Sequence, residues 1–101
     1  MLSSEDILPY DRTLLSKVLP TGDATKFLLR SDEFYKSADI DYKLSVTATK
    51  VDTKNRKITL SNGEVVEYDK LCVATGGRPK VPTNIKGIDL QNVHLLRNHQ
   101  D

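Results

Sequence analysis

The chain is 101 residues long, 38% hydrophobic and 29% charged, with 15 Lys and Arg against 14 Asp and Glu for a formal net charge of +1. That length fits one small domain or a piece of a larger one, and the composition excludes a disordered, collagenous or membrane-spanning chain. The charges are scattered, with no basic stripe to suggest nucleic acid, and a single cysteine excludes an internal disulfide, a redox dithiol or a zinc knuckle.

Met1-Leu2-Ser3-Ser4-Glu5-Asp6 lacks the basic start and apolar run of a signal peptide, and no apolar stretch approaches the roughly 20 residues of a membrane helix. From Pro9 to about Asp41 the spacing is helical. Leu14, Leu15, Val18 and Leu19 fall on one side of a short helix that Thr21-Gly22-Asp23 closes. Ser31 offers a cap and Asp32 and Glu33 early carboxylates for a second helix through Phe34, Tyr35 and Ala38.

From Tyr42 the pattern becomes that of strands. Leu44, Val46 and Ala48 alternate with polar residues, Ile58 and Leu60 follow a turn at Thr53-Lys54-Asn55, and Val66 and Tyr68 follow Asn62-Gly63. Asn62-Gly63 reads as a type I′ hairpin turn, whose two central residues need positive φ. Three short antiparallel strands are therefore expected to lead into Leu71.

Leu71-Cys72-Val73-Ala74-Thr75-Gly76-Gly77-Arg78-Pro79 is an apolar run that ends abruptly in two glycines and a proline. The absence of period-two alternation suits a strand covered on both faces, as in parallel sheets. Gly76 and Gly77 let the backbone turn sharply and another molecule approach it, and ligands of open α/β sheets collect beyond the carboxyl ends of strands. An ordinary strand end is the competing reading. Upstream, Arg12 and Lys17 flank the start of the first helix, where a guanidinium and a compact ammonium could grip different parts of one long anionic ligand. The alternative there is a solvated basic surface with Asp11 as local partner.

The string Pro9-Tyr10-Asp11-Arg12-Thr13-Leu14-Leu15-Ser16-Lys17, then a helix, a three-stranded excursion and a strand ending Ala74-Thr75-Gly76-Gly77-Arg78-Pro79-Lys80-Val81-Pro82, resembles the FAD-dependent pyridine nucleotide reductases. Within them it looks most like the apoptosis-inducing-factor group and the related ferredoxin and rubredoxin reductases. The resemblance runs from about Glu5 to Arg97. It implies an α/β fold: a partial FAD-binding, Rossmann-like domain of two short helices, a three-stranded antiparallel meander and a buried parallel strand.

The resemblance also implies roles. Glu5, with Asp6 as second choice, would hydrogen-bond the adenosine ribose of FAD, and Arg12 would contact the cofactor. Lys17 would approach the isoalloxazine ring and act in catalysis. Ala48 would offer a backbone contact to the adenine, Ala74, Thr75 and Gly76 would turn against the cofactor, and Arg97 would contact the flavin nucleotide. The implied chemistry is hydride transfer from NADH or NADPH to FAD, then electron transfer to an iron-sulfur protein, a quinone or oxygen.

One departure bears on the whole reading. The family's GxGxxG fingerprint should precede an acidic residue such as Glu5 by roughly 20 to 30 residues, and Glu5 stands too near Met1 for that. The expectation is a fragment, residues 1–101 of an FAD domain without its first strand and glycine loop, with the NADH and C-terminal domains also absent. Such a piece is expected to fold poorly and bind FAD weakly, because the face of Leu71 to Ala74 would lack a neighbour. A non-catalytic truncated product or an apoptosis-related interaction module is the second reading. His94 and His99 are expected to be surface histidines rather than metal ligands, and Cys72 an inert buried thiol. The location is expected to be intracellular, cytoplasmic or mitochondrial.

Overall fold

The computed structural model describes residues 1–18 and 23–101. Among these the sheet is the expected antiparallel meander, in the order β1 (Ala48–Asp52), β2 (Lys57–Leu60) and β3 (Val65–Glu67). The register sets Ile58 opposite both Val51 and Val66. Alternation along β2 turns Ile58 and Leu60 to one face, where they are 4% and 2% exposed and join Val46 in the core. Leu2, Val66 and Tyr68 cover that cluster.

Both predicted turns form, the second with a different geometry. The Asp52 carboxylate accepts the N–H groups of Lys54 and Asn55, each at 3.0 Å, and ties the first turn. At the second, Gly63 has φ +85° while Asn62 is not left-handed, so the turn is not type I′. Gly63 N–H donates to Leu60 O at 2.9 Å and Leu60 N–H to Glu64 O at 2.8 Å. These bonds close a three-residue loop, Ser61 to Gly63, in which only the last residue must be left-handed.

The first strand starts later than its alternation suggests. Leu44 and Val46 lie in an extended segment that bonds to the amino-terminal residues instead of to β2. Lys43 N–H donates to Met1 O, Val46 N–H to Ser3 O and Ser45 N–H to Glu5 O, all at 2.9 Å. Ser45 at φ +57° interrupts the run. Alternation records which side chains are buried, and Val46 is buried, but it is silent on which backbone supplies the ladder.

The helices are present and short. A 3-10 turn at Arg12–Leu14 leads into α1 (Leu15–Val18), which buries Leu15. The predicted stop falls partly on Thr21 and Gly22, which with Leu19 lie outside the described residues; Asp23 caps a following 3-10 turn, Ala24–Phe27. The second helix, α2 (Asp32–Ser37), carries Asp32 and Glu33 in its first turn and buries Tyr35. Ser31 sits at its N-cap without a side-chain capping bond.

The expected buried parallel strand at Leu71 to Ala74 is not formed. Residues 71–80 are exposed and pair with no strand, with Leu71 39% and Val73 72% exposed. Cys72 is exposed as well, contrary to the expectation of a buried thiol. A strand covered on both faces takes its hydrogen bonds from flanking strands and its burial from layers above and below, and among the described residues neither stands beside this segment. Among the described residues no helix is long and apolar enough to cross a membrane.

Candidate functional site

The meander and the amino-terminal segment together fix the position of Glu5. Its carbonyl accepts the Ser45 N–H at 2.9 Å, so its side chain leaves the backbone at the edge of the segment that leads into β1. Nearby, the strand-like bridge between Tyr10 and Leu28 holds the start of the Pro9–Lys17 string: Asp11 N–H donates to Phe27 O at 2.9 Å and Leu29 N–H to Pro9 O at 2.8 Å. Asp11 then caps the 3-10 turn through the Thr13 N–H, at 2.9 Å. Its carboxylate accepts both the N–H and the hydroxyl of Thr13, and the alternative reading, with Asp11 as local partner of the basic residues, does not describe Arg12.

Arg12 pairs with Glu5 instead. One guanidinium nitrogen donates to Glu5 Oε1, and the other donates to the Tyr10 hydroxyl at 3.0 Å and to the Arg97 carbonyl at 2.9 Å. The Tyr10 hydroxyl in turn donates to Glu5 Oε2 at 2.7 Å. Partial burial works to raise the Glu5 carboxyl, but the hydrogen bonds from Arg12 and Tyr10 and the Arg12 charge outweigh it and hold the group below its ordinary value. Tyr10 shifts the other way: burial and its bond to the Glu5 carboxylate raise it. Glu5 is thus a fixed anion at neutral pH, and Tyr10 a fixed donor.

The carboxyl-terminal segment closes on this pair. Asp101 Oδ2 accepts the N–H groups of Arg97 and Asn98 at 2.6 and 2.8 Å, which turns the chain back. His99 N–H donates to the Tyr10 hydroxyl at 3.1 Å, and the His99 Nε2 atom meets Asp6 Oδ1 at 2.7 Å. His99 is therefore engaged and partly covered rather than a free surface histidine, while His94 is exposed. No group of three or more metal-ligating side chains occurs among the described residues.

Gly76 reaches the same place from the unpaired segment. It has φ +69°, and a Cβ built there would stand 2.5 Å from Arg97 Nη2. The absence of a side chain lets the Arg97 guanidinium lie close to the Gly76 backbone. Gly77 is not left-handed and would meet nothing, so only one of the two glycines carries the turn.

The structure thus brings together Glu5, Arg12, Gly76 and Arg97 of the expected residues. Lys17 is exposed on α1, one turn beyond Arg12, and enters no ion pair among the described residues. Ala48 opens β1 opposite Leu60, exposed, and Ala74 and Thr75 are exposed in the unpaired segment. Tyr10 and His99 were not singled out as site residues by the sequence, and Asp6, the second choice for the ribose, meets His99. Tyr10 and His99 lie 89 positions apart, and no local pattern links such distant positions. An open polar depression lined by Asn55, Arg56, Glu67, Tyr68 and Asp69 contains none of these residues.

Chemically, the gathered set suits a nucleotide. A carboxylate accepts from ribose hydroxyls, guanidiniums grip phosphates through paired N–H groups, and bare backbone admits close approach. All three kinds of group stand side by side, so the residues fit a dinucleotide cofactor.

The comparisons with known proteins agree with that chemistry. Over 94 residues the chain is 37% identical to apoptosis-inducing factor 3 of Mus musculus, covering 93% of this chain and 15% of that protein. Over 102 residues it is 34% identical to the biphenyl dioxygenase system ferredoxin–NAD(+) reductase component of Paraburkholderia xenovorans, covering all of this chain and 25% of the relative. The crystal structure of the ferredoxin reductase for the CYP199A2 system from Rhodopseudomonas palustris superposes with a TM-score of 0.83 at 30% identity, over 98% of this chain and 24% of that one. The chain therefore spans 15 to 25% of the length of these curated relatives. The fold class stands as part of a Rossmann-like α/β domain, of which these residues supply the short helices and the meander. Since the pyridine nucleotide-disulphide oxidoreductase family matches residues 1–101 without a gap at either end, and its reductases share both the sequence and the path of the backbone, this chain belongs to that family.

Proposed function

We propose that these residues form the part of an FAD-dependent NAD(P)H oxidoreductase that grips the nucleotide portion of its flavin. The observation that carries the reading is the convergence of three separate stretches of chain, with Glu5, Arg12 and the Arg97 carbonyl in one hydrogen-bonded network and Gly76 beside the Arg97 guanidinium. In this reading Glu5 accepts from the adenosine ribose hydroxyls and Arg12 and Arg97 hold the phosphate and flavin-nucleotide part. Ala48 offers backbone to the adenine, and the backbone of Ala74, Thr75 and Gly76 lines the turn beside the cofactor. FAD held there would supply the redox chemistry, that of an acceptor for hydride from NADH or NADPH and a donor of electrons onward.

Lys17 has a different task. On exposed α1, beyond Arg12, its ammonium would stabilise negative charge that builds on the reduced ring, a local electrostatic effect rather than a binding one. The onward acceptor is an iron-sulfur protein, since a ferredoxin–NAD(+) reductase component and a ferredoxin reductase are among the similar proteins; a quinone or oxygen is the alternative. An intracellular site, cytoplasmic or mitochondrial, accords with a supply of NAD(P)H.

The test separates the two tasks in the full-length protein. Arg12→Ala should lose FAD on gel filtration and weaken FAD titration by about tenfold or more, the scale of losing charge-assisted hydrogen bonds. Lys17→Ala should retain FAD while lowering the rate of flavin reduction or its potential. Equal loss of FAD from the two variants would sink this division of roles.

A further inference from the structure

Tyr10 is 8% exposed, and its ring is held between two groups. The Arg12 guanidinium lies over one face, 5.1 Å from the ring centroid, and the His99 ring meets it edge-on at 5.8 Å and 87°. Its hydroxyl has three partners: it accepts from Arg12 Nη1 at 3.0 Å and from the His99 N–H at 3.1 Å, and it donates to Glu5 Oε2 at 2.7 Å. A phenol oxygen has one proton and two lone pairs. Two of its three neighbours can only donate, so the proton has a single acceptor, and the direction of the O–H bond is fixed toward Glu5.

We propose that Tyr10 is a positioning residue for the nucleotide site, its hydroxyl setting the mutual orientation of Glu5 and Arg12 and joining both to the segment that carries Arg97. The proposal rests on the FAD reading above. It follows from the accounting of partners: Glu5 spends one lone pair of Oε1 on Arg12 and one of Oε2 on Tyr10, and each oxygen keeps acceptor capacity for a ribose hydroxyl. Without the phenol proton, Glu5 is held by Arg12 alone and can rotate away from the orientation that leaves both oxygens available. Because the hydroxyl also accepts from His99, it couples closure of the 97–101 segment to the alignment of residues near the other end of the chain. Among the described residues the further charged groups at this cluster are Asp6, which meets His99 Nε2, and Asp101, which holds the Arg97 and Asn98 N–H groups.

The experiment is a double-mutant cycle on FAD affinity in the full-length apoprotein, read by flavin fluorescence. Tyr10→Phe keeps the ring and its packing and removes the hydroxyl. It should raise the Kd for FAD about tenfold, the scale of a hydrogen bond to a charged partner, but by less than about twofold in a Glu5→Ala background, where the residue to be positioned is gone. Equal factors in both backgrounds, or no effect on the wild-type protein, would overturn the positioning role while leaving the site intact. An Arg12→Ala variant that binds FAD as tightly as wild type would instead overturn the FAD reading itself. A second measurement avoids dependence on the folding of the phenylalanine variant. With 3-fluorotyrosine incorporated at position 10 alone, the phenol keeps its shape but becomes more acidic. The alkaline loss of FAD affinity should then move to lower pH, and an unmoved profile would also refute the role.

Discussion

The meander and the segment that follows it contain similar apolar residues and treat them in opposite ways. In β2, Ile58 and Leu60 are 4% and 2% exposed, whereas Val73 and Leu90 are 72% and 66% exposed. The difference lies in what each backbone pairs with. β2 has a hydrogen-bonded neighbour on either side and a lid of Leu2 and Val46, while residues 71–80 pair with no strand among the described residues. Hydrophobicity supplies a driving force of about 25 cal/mol for each Å² buried, but the force acts only where another surface is within reach. Leaving this segment bare is costly, and the apolar run therefore marks a surface suited to burial rather than one that is buried.

The largest test of this contrast is on the core. In the 101-residue chain, Leu60→Ala should lower stability by about 2–5 kcal/mol in a urea or thermal transition, and Val73→Ala should change it by no more than about 0.5 kcal/mol. Hydrogen exchange should show the same division, with protected amides along β2 and near-unprotected ones at 71–80. Protection at Leu71 to Ala74 equal to that of β2 would erase the comparison.

A medium effect is expected at the junction between the two regions. Gly76→Ala places a Cβ on a left-handed residue, which costs about 1–2 kcal/mol, and drives it against the Arg97 guanidinium. The guanidinium is the free end of a flexible side chain, so it should move aside. FAD titration of the full-length variant should then show weaker binding, and unchanged affinity would mean that the Arg97 contact is incidental.

The smallest effect is on pH, and it should be confined to the amino-terminal network. The Glu5 carboxyl is held below its ordinary value of 4.5, so its contribution is fully present above that value and is lost as pH falls through the lower folded one. Tyr10 is raised above 10.0, so its contribution is present below that value and lost as pH rises through the higher folded one. Resonances of Tyr10 and His99 should shift at both extremes while those of Ile58 and Leu60 hold. Parallel loss in both regions would show that the network and the meander unfold together.

The Pro9–Lys17 string and the Ala74–Pro82 turn were sufficient, by residue identity and order, to name the family and half of the gathered site. Alternation identified Val46, Ile58 and Leu60 as core because side-chain period is a local property. It misplaced the first strand and the Asn62-Gly63 turn type because ladder partners and loop register depend on distant backbone. Tyr10 and His99 were illegible as a pair for the same reason.

What the sequence determined by itself is therefore local: which residues are apolar, which are charged, where glycine permits a left-handed turn, and which motifs follow one another. The tertiary structure decided three further things. It paired Glu5 rather than Asp11 with Arg12, it laid Arg97 over Gly76, and it left Leu71 to Ala74 uncovered. Each depends on groups far apart in the chain meeting within hydrogen-bond or van der Waals range, a condition that no sequence window contains.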